Sequence, residues 1–269
     1  MYSLKENNLI REFFVYIHLI REGRFLRDKA AIVLYLLYAP FRYFLKRKGK
    51  RYNYKLVFDV TIKNRDGLFF CGRSFTSCKA VSTFYEKGIR RYFDLREGVF
   101  IDVGSHIGKY SIRLGNAMGG KGKVIAIEPE INNFTILKKN VGLNRLDNIH
   151  LLHAACFKVD GKIPLFFSNK YTTLHSIYFK GGYKKGFVKA LKLDTIASRL
   201  KLKNVDLIKI DAEGAEKDVI KGAEVILHRY HPRIVFEAWD EKRFKEMDCF
   251  LKKFNYQVRK IDKENYLAF

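Results

Sequence analysis

The sequence predicts an α/β fold with a mostly parallel, seven-stranded sheet that ends in an antiparallel hairpin. From residue 99 onward, short apolar runs alternate with amphipathic stretches of helical period, which is typical of parallel strands joined by helices on both faces. Segments rich in glycine and carboxylates directly follow several of these runs, at the strand ends where such sheets bind ligands. The last two runs lie close together in sequence and are expected to pair as a hairpin.

The composition is that of a folded and strongly basic chain. Its 269 residues are 48% hydrophobic, which is enough for one large domain with an N-terminal appendage. The formal net charge is +24. Such a field attracts nucleic acid, anionic lipid and acidic or phosphorylated substrates, and a merely solubilising basic surface explains it equally well. Charge alone therefore does not choose a partner.

Residues 1–53 are predicted to form a helical and basic N-terminal extension. Ala30–Phe41 is a run of twelve residues without a charge, and it is shorter than the roughly 20 residues needed to span a bilayer. Pro40 is expected to bend or end the helix. The segment Arg42–Lys55 then carries seven basic residues and no acidic one.

Two interpretations of this extension stay open. An interfacial helix on an anionic leaflet would combine the apolar run, its aromatic residues and the basic segment. Alternatively, the helices pack as an accessory layer on the α/β domain. The first residues lack the apolar core and small-residue cleavage site of a signal peptide. We therefore expect a cytoplasmic location, with peripheral attachment to the inner face of the membrane as the alternative that the basic segment supports.

Residues 54–98 are predicted to lead into the α/β domain. Tyr54–Cys71 alternates between apolar and polar residues and contains Asp66-Gly67, which predicts a β-hairpin with its turn at that dipeptide. A helix is predicted over residues 79–97.

The four cysteines do not indicate a metal site or a disulfide framework. None of them is paired in C-x-x-C spacing, and no histidine cluster accompanies them. We expect reduced and mostly buried thiols at Cys71, Cys78, Cys156 and Cys249.

Residues 99–269 are predicted to form the α/β domain itself. The predicted strands are Val99–Val103, Lys123–Ile127, Ile149–Ala154, Val205–Ile210, Arg233–Glu237, Tyr256–Ile261 and Asn265–Phe269. The predicted helices are Gly108–Ala117, Ile131–Val141, Glu216–Ile226 and Glu241–Phe254. The stretch between residues 154 and 205 is expected to be irregular.

The first candidate site is the glycine loop that follows the first strand of this domain. Glycine allows a sharp turn there, and the free N–H groups of the next helix favour a carboxylate or phosphate. His106 stands where the middle glycine of G-x-G-x-x-G would be, so a dinucleotide pyrophosphate would fit poorly. A strand-ending Asp102 suits a ligand with a cationic head. The candidate binding residues are Asp102, Gly104, Ser105, His106 and Gly108.

Glu128 is the second candidate site. It ends the second strand of the domain and lies 20 residues after Gly108, the offset of a ribose-binding carboxylate. A carboxylate at that strand end can accept both hydroxyls of a ribose.

The third candidate site follows the fourth strand. Lys209–Glu216 places three carboxylates and a glycine at a strand end where ligands bind. Glu216 is expected to begin the next helix, where acidic residues are favoured. Asp211 and Glu213 are the better candidates for catalysis.

These segments together resemble the FkbM methyltransferases over roughly residues 54–260. The resemblance rests on Phe84-Tyr85-Glu86, Asp102-Val103-Gly104-Ser105-His106-Ile107-Gly108, Ile127-Glu128-Pro129, Leu193-Asp194-Thr195-Ile196, Ile208–Glu216 and the strand ending at Glu237. It implies a Rossmann-like class I methyltransferase fold, S-adenosylmethionine as methyl donor, and methylation of a hydroxyl on a sugar, glycolipid or small natural product. The family usually has Asp-x-Gly-Ala-Asn-x-Gly in the glycine loop, so Ser105 and His106 depart from its pattern.

Methyl transfer to oxygen needs an aligned acceptor and a base for the hydroxyl proton. Asp211 or Glu213 is predicted to be that base, or the two orient the acceptor as a pair. His175 is a further candidate base in the irregular stretch, although a surface histidine explains it as well. Trp239 is either a stacking platform for a ring or a core or rim residue. Alternatively, a divalent ion held by carboxylates and an amide would polarise the acceptor. No clear third ligand accompanies the carboxylates, so we predict no metal and keep this mechanism as the alternative.

Two other function classes remain as alternatives. A nucleic-acid methyltransferase would suit the charge, but the amino-directed type needs Asn/Asp-Pro-Pro-aromatic where this chain has Asp211-Ala212-Glu213-Gly214. Nucleic acid is therefore a disfavoured partner. The other alternative is a non-catalytic, cofactor-binding module at a membrane surface.

Overall fold

The structure, a computed structural model, describes residues 13–38, 55–167, 175–176 and 184–269. It divides into two units, Met1–Lys87 and Gly88–Phe269. Most of the predicted basic stretch, together with Pro40 and the end of the uncharged run, lies outside the described residues.

The first unit contains helices and one hairpin. Helix α1 covers residues 13–22, and α2 covers Leu26–Leu37. Asp28 accepts a hydrogen bond from the Phe25 amide at 2.8 Å and so caps the start of α2. Within the described part of the chain, no helix is both long and apolar enough to cross a membrane.

The predicted hairpin is confirmed. Strands β1 (Lys55–Asn64) and β2 (Gly67–Ser74) pair antiparallel, with Asn64 opposite Gly67 across the turn. Helix α3 (Phe75–Val81) follows directly, and the Ser74 side chain caps it by accepting from the Ser77 amide.

The helix predicted over residues 79–97 is wrong. Helix α3 ends at Val81, and only a single 3₁₀ turn, Arg90–Tyr92, follows before the next strand. Glu86 has a left-handed backbone (φ 56°), which a continuous right-handed helix cannot contain.

The second unit is built on a seven-stranded sheet, as the sequence predicts. Its spatial order is β12-β13-β11-β10-β3-β4-β5, and only the pairs formed by β13 are antiparallel. The strands are β3 (Gly98–Val103), β4 (Gly122–Ile127), β5 (Ile149–Leu152), β10 (Leu207–Ile210), β11 (Arg233–Glu237), β12 (Val258–Lys260) and β13 (Asn265–Ala268). The α/β, Rossmann-like fold class with a C-terminal antiparallel hairpin is confirmed.

Both faces of this sheet are buried. Successive strand residues point to opposite sides, so Ile101 and Ile208 belong to one apolar cluster and Phe100 and Leu207 to the other. The helices of this unit are α4 (Lys109–Met118), α5 (Ile131–Leu143), α6 (Leu193–Arg199), α7 (Glu216–Lys221), α8 (Glu224–Tyr230) and α9 (Glu241–Lys252). Burial of the central strands β3, β4 and β10 on both faces explains their mostly apolar sequence.

The stretch expected to be irregular contains a second sheet. Its four strands have the order β6-β9-β7-β8 and are β6 (Ala155–Cys156), β7 (Gly161–Phe167), β8 (His175–Ser176) and β9 (Lys184–Leu191). The expectation was wrong because β7 contains Gly161 and Pro164, and β9 contains several lysines, which strands disfavour.

The single helix predicted over Glu216–Ile226 is also wrong, because two helices occupy that region. Helix α7 ends at Lys221, and α8 begins at Glu224. Asp194 caps α8 from a distance, since its carboxylate accepts from the Val225 and Ile226 amides at 3.0 Å.

The cysteines agree with the sequence analysis. Cys71, Cys78 and Cys156 are buried, Cys249 is exposed, and none of the four is in a disulfide.

Candidate active site

The candidate residues that follow β3 and β10 lie where the strand order reverses. Strands β3 and β10 are neighbours, but the chain continues from β3 to β4 on one side and from β10 to β11 on the other. The loops after β3 and β10 therefore leave the sheet at a topological switch point, where open α/β sheets have their ligand crevice.

Gly104 allows these two loops to touch. Its backbone is left-handed (φ 73°), and a Cβ atom built on it would lie 1.9 Å from the Asp211 carbonyl oxygen. Any side chain at position 104 would push the loops apart, so this glycine is required by close approach as well as by its φ angle.

Ser105 is buried and joins the glycine loop to β4. Its hydroxyl donates to the Asp102 carbonyl at 2.8 Å and accepts from the Ile127 amide at 2.9 Å. Ser105, which departs from the family pattern, therefore holds the backbone of the glycine loop to β4. A contact between Ser105 and a cofactor stays a prediction.

The end of the glycine loop places two further candidates. His106 has a left-handed backbone (φ 50°), and Gly108, also left-handed (φ 99°), is the residue before α4. A Cβ on Gly108 would lie 2.7 Å from Leu137 Cδ1, so the Leu137 side chain would have to shift to admit one. Helix α4 thus begins directly after the glycine loop, as the sequence predicts.

Glu128 lies across from this loop and is buried. Its Oε2 accepts from the His106 amide at 2.8 Å, and its Oε1 accepts from the Glu130 amide at 2.9 Å. Burial raises the pKa of Glu128 to about 7, against the effect of these two hydrogen bonds. An ionised carboxylate has about four acceptor positions, so two remain for the hydroxyls of a ribose.

Asp102 points into the protein rather than along the surface. It is 1% exposed, and its Oδ2 accepts from the Ser111 hydroxyl. Its Oδ1 lies 3.7 Å from the Lys209 ammonium. Burial raises the pKa of Asp102, and Lys209 and Ser111 oppose that rise. Lys209 already places a positive charge beside Asp102. The predicted contact of Asp102 with a cationic ligand therefore stays a prediction.

Lys209 links the two loops and was not among the predicted site residues. Its ammonium lies 3.3 Å from both the Gly104 carbonyl oxygen and Asp211 Oδ2. A lysine within an otherwise apolar strand was the sequence signal that could have identified Lys209 as a site residue. Strand β10 is wholly buried, and a buried cation needs a charged partner.

Four carboxylates gather at the ends of β10 and β11. Burial, followed by the charges of Asp211, Glu237 and Glu216, raises the pKa of Glu213 to about 9. Burial and then Asp211 raise the pKa of Glu237 to about 8, although a hydrogen bond from the Trp239 side chain lowers it. At neutral pH, protons are therefore held within this acidic cluster.

Glu216 has a different part in this cluster. Its Oε1 accepts from the Ala212 and Gly214 amides, each at 3.0 Å, and it is the first residue of α7. It therefore holds the shape of the loop that carries Asp211 and Glu213. Its position at the start of a helix is as predicted.

Glu237 is a site residue that sequence reasoning missed. It ends β11, which lies beside β10, so the two strand ends meet at the same edge of the sheet. The strand-ending glutamate was visible in the sequence, but the adjacency of β10 and β11 was not.

Trp239 and Arg243 border the loop after β10. The Arg243 guanidinium donates to the Gly214 carbonyl at 3.0 Å and lies 5.1 Å from the centre of the Trp239 ring. The indole is partly exposed, so both of its predicted roles, as a stacking platform or as a core or rim residue, stay predictions.

The structure does not bring His175 into this cluster. Its backbone belongs to β8 in the smaller sheet, paired with β7, and its side chain is not described. A catalytic role for His175 stays a prediction. Within the described ranges, no three histidine, cysteine, aspartate or glutamate side chains are grouped as a set of metal ligands.

The acidic cluster predicts an unusual pH dependence of stability. The folded-state pKa values of Glu213 and Glu237, about 9 and about 8, lie above the value of about 4.3 in an unfolded chain. The folded state therefore binds more protons between these limits, and the free energy of unfolding falls as pH rises from about 5 to about 9.

We expect Glu213→Gln to flatten this dependence, because it removes one titrating carboxyl from the cluster. Its melting temperature should exceed that of the wild type at pH 8–9, by about 2–4 °C for each kcal/mol of repulsion removed. Glu241→Gln is the matched control, since the Glu241 side chain is 78% exposed. Identical curves of melting temperature against pH for Glu213→Gln and wild type would contradict the expectation.

Comparison with known proteins identifies the family of this chain. The Methyltransferase FkbM domain matches residues 102–258, more than half of the chain. The methyltransferase sdnD of Sordaria araneosa is 27% identical over 171 residues, which cover 52% of this chain and 66% of that protein. A probable cobalt-precorrin-6B C(15)-methyltransferase (decarboxylating) of Sulfurisphaera tokodaii is 31% identical over 113 residues, 42% of this chain and 52% of that protein.

A solved structure of the same family is also similar. Methyltransferase FkbM from Methylobacillus flagellatus aligns with 98% of this chain and 60% of its own length, at 13% identity and a TM-score of 0.49. The chain thus spans 66% and 52% of the two curated relatives and 60% of this solved chain. On the match over residues 102–258, this chain belongs to the FkbM methyltransferase family.

Proposed function

We propose that the chain transfers a methyl group from S-adenosylmethionine to a hydroxyl of a sugar, glycolipid or small natural product. The single observation that carries this proposal is the acidic cluster of Asp211, Glu213 and Glu237 beside the glycine loop. This cluster combines carboxyl groups that hold protons near neutral pH with a glycine loop, at the edge where such sheets bind a ligand.

The residues of the site fit S-adenosylmethionine. Two acceptor positions of Glu128 suit the ribose hydroxyls, and the N-terminus of α4, which directly follows the glycine loop, suits a carboxylate. When bound, the cofactor supplies a methyl group on a sulfonium, which is a good leaving group. The other residues must bind the acceptor, orient it and take its proton.

Glu213 is the group best suited to take the acceptor's proton. Once Glu213 has ionised, a carboxylate whose pKa is raised to about 9 is a stronger base than an ordinary one, and Asp211 and Glu237 supply part of that rise. Asp211 accepts from Lys209 and lies 38% exposed, so it can also orient a hydroxyl. Assigning these two as base and orienting group follows the sequence prediction for the pair.

The proposal is tested by incubating the purified chain with isotopically labelled S-adenosylmethionine and fractionated sugars, glycolipids and hydroxylated metabolites. Mass spectrometry should find the label on an oxygen of an acceptor. Tight binding of NAD without binding of S-adenosylmethionine would refute the assignment of S-adenosylmethionine as the cofactor. Label found on a nucleic acid or on carbon would refute the acceptor class.

Removing the Glu128 carboxylate is expected to weaken cofactor binding. Glu128→Gln replaces one acceptor oxygen by an amide donor, which would face a ribose hydroxyl or a backbone N–H. We expect a loss of about 1–3 kcal/mol, the usual effect of one unsatisfied buried polar group. Calorimetric titration with S-adenosylmethionine measures it, with Glu241→Gln as the control. Equal affinities for Glu128→Gln and wild type would remove Glu128 from the binding site.

A further inference from the structure

The outward face of helix α2 is apolar. Five apolar residues recur at the spacing of one helix face: Leu26, Ala30, Val33, Leu34 and Leu37. All of them except Val33 are exposed. The opposite face, which contains Ala31 and Ile32, is buried in the first unit. A helix on a protein surface normally places polar residues on its outer side, so this face is expected to have an apolar partner.

The exposed charges in the segment that contains α2 have one sign. Among residues 13–38, every exposed charged side chain is an arginine, namely Arg21, Arg24 and Arg27. The two acidic residues of this range are engaged within the unit. Asp28 is 1% exposed, and Glu22 accepts hydrogen bonds from the Thr83 amide and hydroxyl.

Phe25 connects the arginines to the apolar face. It directly precedes α2, is 45% exposed, and has the guanidinium carbons of Arg24 and Arg27 at 4.7 and 5.6 Å from its ring centre. An aromatic ring beside exposed arginines at the border of an apolar helix face is the composition of a helix that lies in a membrane interface.

From this arrangement we propose that α2 lies in the plane of an anionic lipid bilayer, with Leu26, Leu34 and Leu37 in the acyl boundary and the arginines at the lipid phosphates. Twelve residues make a helix about 18 Å long, which is shorter than the roughly 30 Å hydrocarbon core. The helix therefore attaches without crossing. The inference does not depend on the identity of the methyl acceptor.

A second copy of the chain is a less suitable occupant of this face. A two-fold interface pairs a patch with itself, so the same three arginines from both copies would be brought together. An anionic leaflet has the opposite charge over its whole surface. By sequence alone, Arg42–Lys55 adds further positive charge after α2, which strengthens attraction to such a leaflet.

Flotation of the full-length chain with lipid vesicles tests the proposal. The chain should float with vesicles of phosphatidylcholine and phosphatidylglycerol at low salt. It should float much less with phosphatidylcholine alone or at high salt, because the attraction is screened. No flotation with the anionic vesicles at low salt overturns the proposal.

Two sets of variants separate the apolar from the electrostatic contribution. Leu26→Ser with Leu37→Ser should weaken binding by about tenfold for each leucine, since these side chains are 83% and 70% exposed and would lose burial in lipid. Arg21→Gln, Arg24→Gln and Arg27→Gln together should weaken it on the order of a hundredfold, at about fivefold for each arginine.

Matched changes in the second unit are the controls. Val159→Ser with Val225→Ser replaces two exposed valines, and Lys245→Gln, Lys252→Gln and Lys263→Gln removes three exposed charges. These controls should float like the wild type. If the leucine variant also floats like the wild type, α2 does not bind the membrane and the proposal is wrong. Conversion of a dimer to a monomer in that variant, with unchanged flotation, would instead assign the apolar face to a contact between two copies of the chain.

Discussion

Methyl transfer by the Glu213→Gln variant is expected to fall by about 10²–10⁴-fold, the usual contribution of a positioned general base. The glutamine keeps the size of the side chain but cannot take a proton. Because the change also removes repulsion within the acidic cluster, the variant should be at least as stable as the wild type. Lost turnover without lost stability is the signature that distinguishes a catalytic carboxylate from a structural one.

The pH dependence of kcat/KM provides an independent measure. If Glu213 is the base, kcat/KM of the wild type should rise with pH as the group ionises, up to about pH 9 in the cofactor-free state. The Glu213→Gln variant should lose this rise, and Glu241→Gln should keep it. A Glu213→Gln variant with full turnover would remove Glu213 from the mechanism.

Asp211→Asn tests the second member of the pair. Asparagine cannot accept a proton and is neutral beside Lys209, so we expect a strong loss of rate with a melting temperature within a few degrees of the wild type. The double variant Asp211→Asn, Glu213→Gln should lose little more than the worse single variant, because residues that act as a unit are not additive. Full turnover in Asp211→Asn would assign the chemistry to Glu213 alone.

Gly104→Ala is expected to have the largest effect on stability. The new Cβ would lie 1.9 Å from the Asp211 carbonyl oxygen, and its residue would have a φ of 73°, which alanine rarely adopts. The loops after β3 and β10 would have to separate, and Lys209 would lose its contacts with both. We expect a loss of roughly 3–5 kcal/mol in the free energy of unfolding, or about 10 °C in melting temperature.

Gly120→Ala is the matched control for this change. No atom lies within 4 Å of a Cβ built on Gly120, and its φ is not positive, so the melting temperature should stay close to that of the wild type. Calorimetric melting of both variants decides the matter. If Gly104→Ala has the melting temperature of the wild type and still binds S-adenosylmethionine, the close approach of the two loops does not exist.

The parts of the fold that the sequence predicted well are those with strong periodicity. Strands β3 and β10 are apolar runs interrupted by one charged residue each, and Asp66-Gly67 is a turn dipeptide between alternating segments, so their type follows from local chemistry. The smaller sheet was missed because Pro164 and the lysines of β9 obscure its pattern. The break between α7 and α8 was missed because Asp194, which caps α8, lies about thirty residues earlier.

The order of sequence motifs alone determined the family of this protein and the positions of its candidate residues. A glycine loop after one strand, a glutamate after the next and a carboxylate string after a later one are local features, and each strand end could be located from its own residues. The sequence did not determine which strand ends are neighbours, because hydrogen bonding between β10 and β11 joins residues distant along the chain.

Only the tertiary structure decided how these groups act on one another. It placed Lys209 between the two loops, made Glu216 the acceptor of two loop amides, and brought Glu237 into the same cluster as Asp211 and Glu213. The pKa of a carboxyl group depends on its burial and on the charges around it. Both quantities arise only when the strands are assembled side by side, so no local pattern in the sequence could reveal which carboxylates hold a proton.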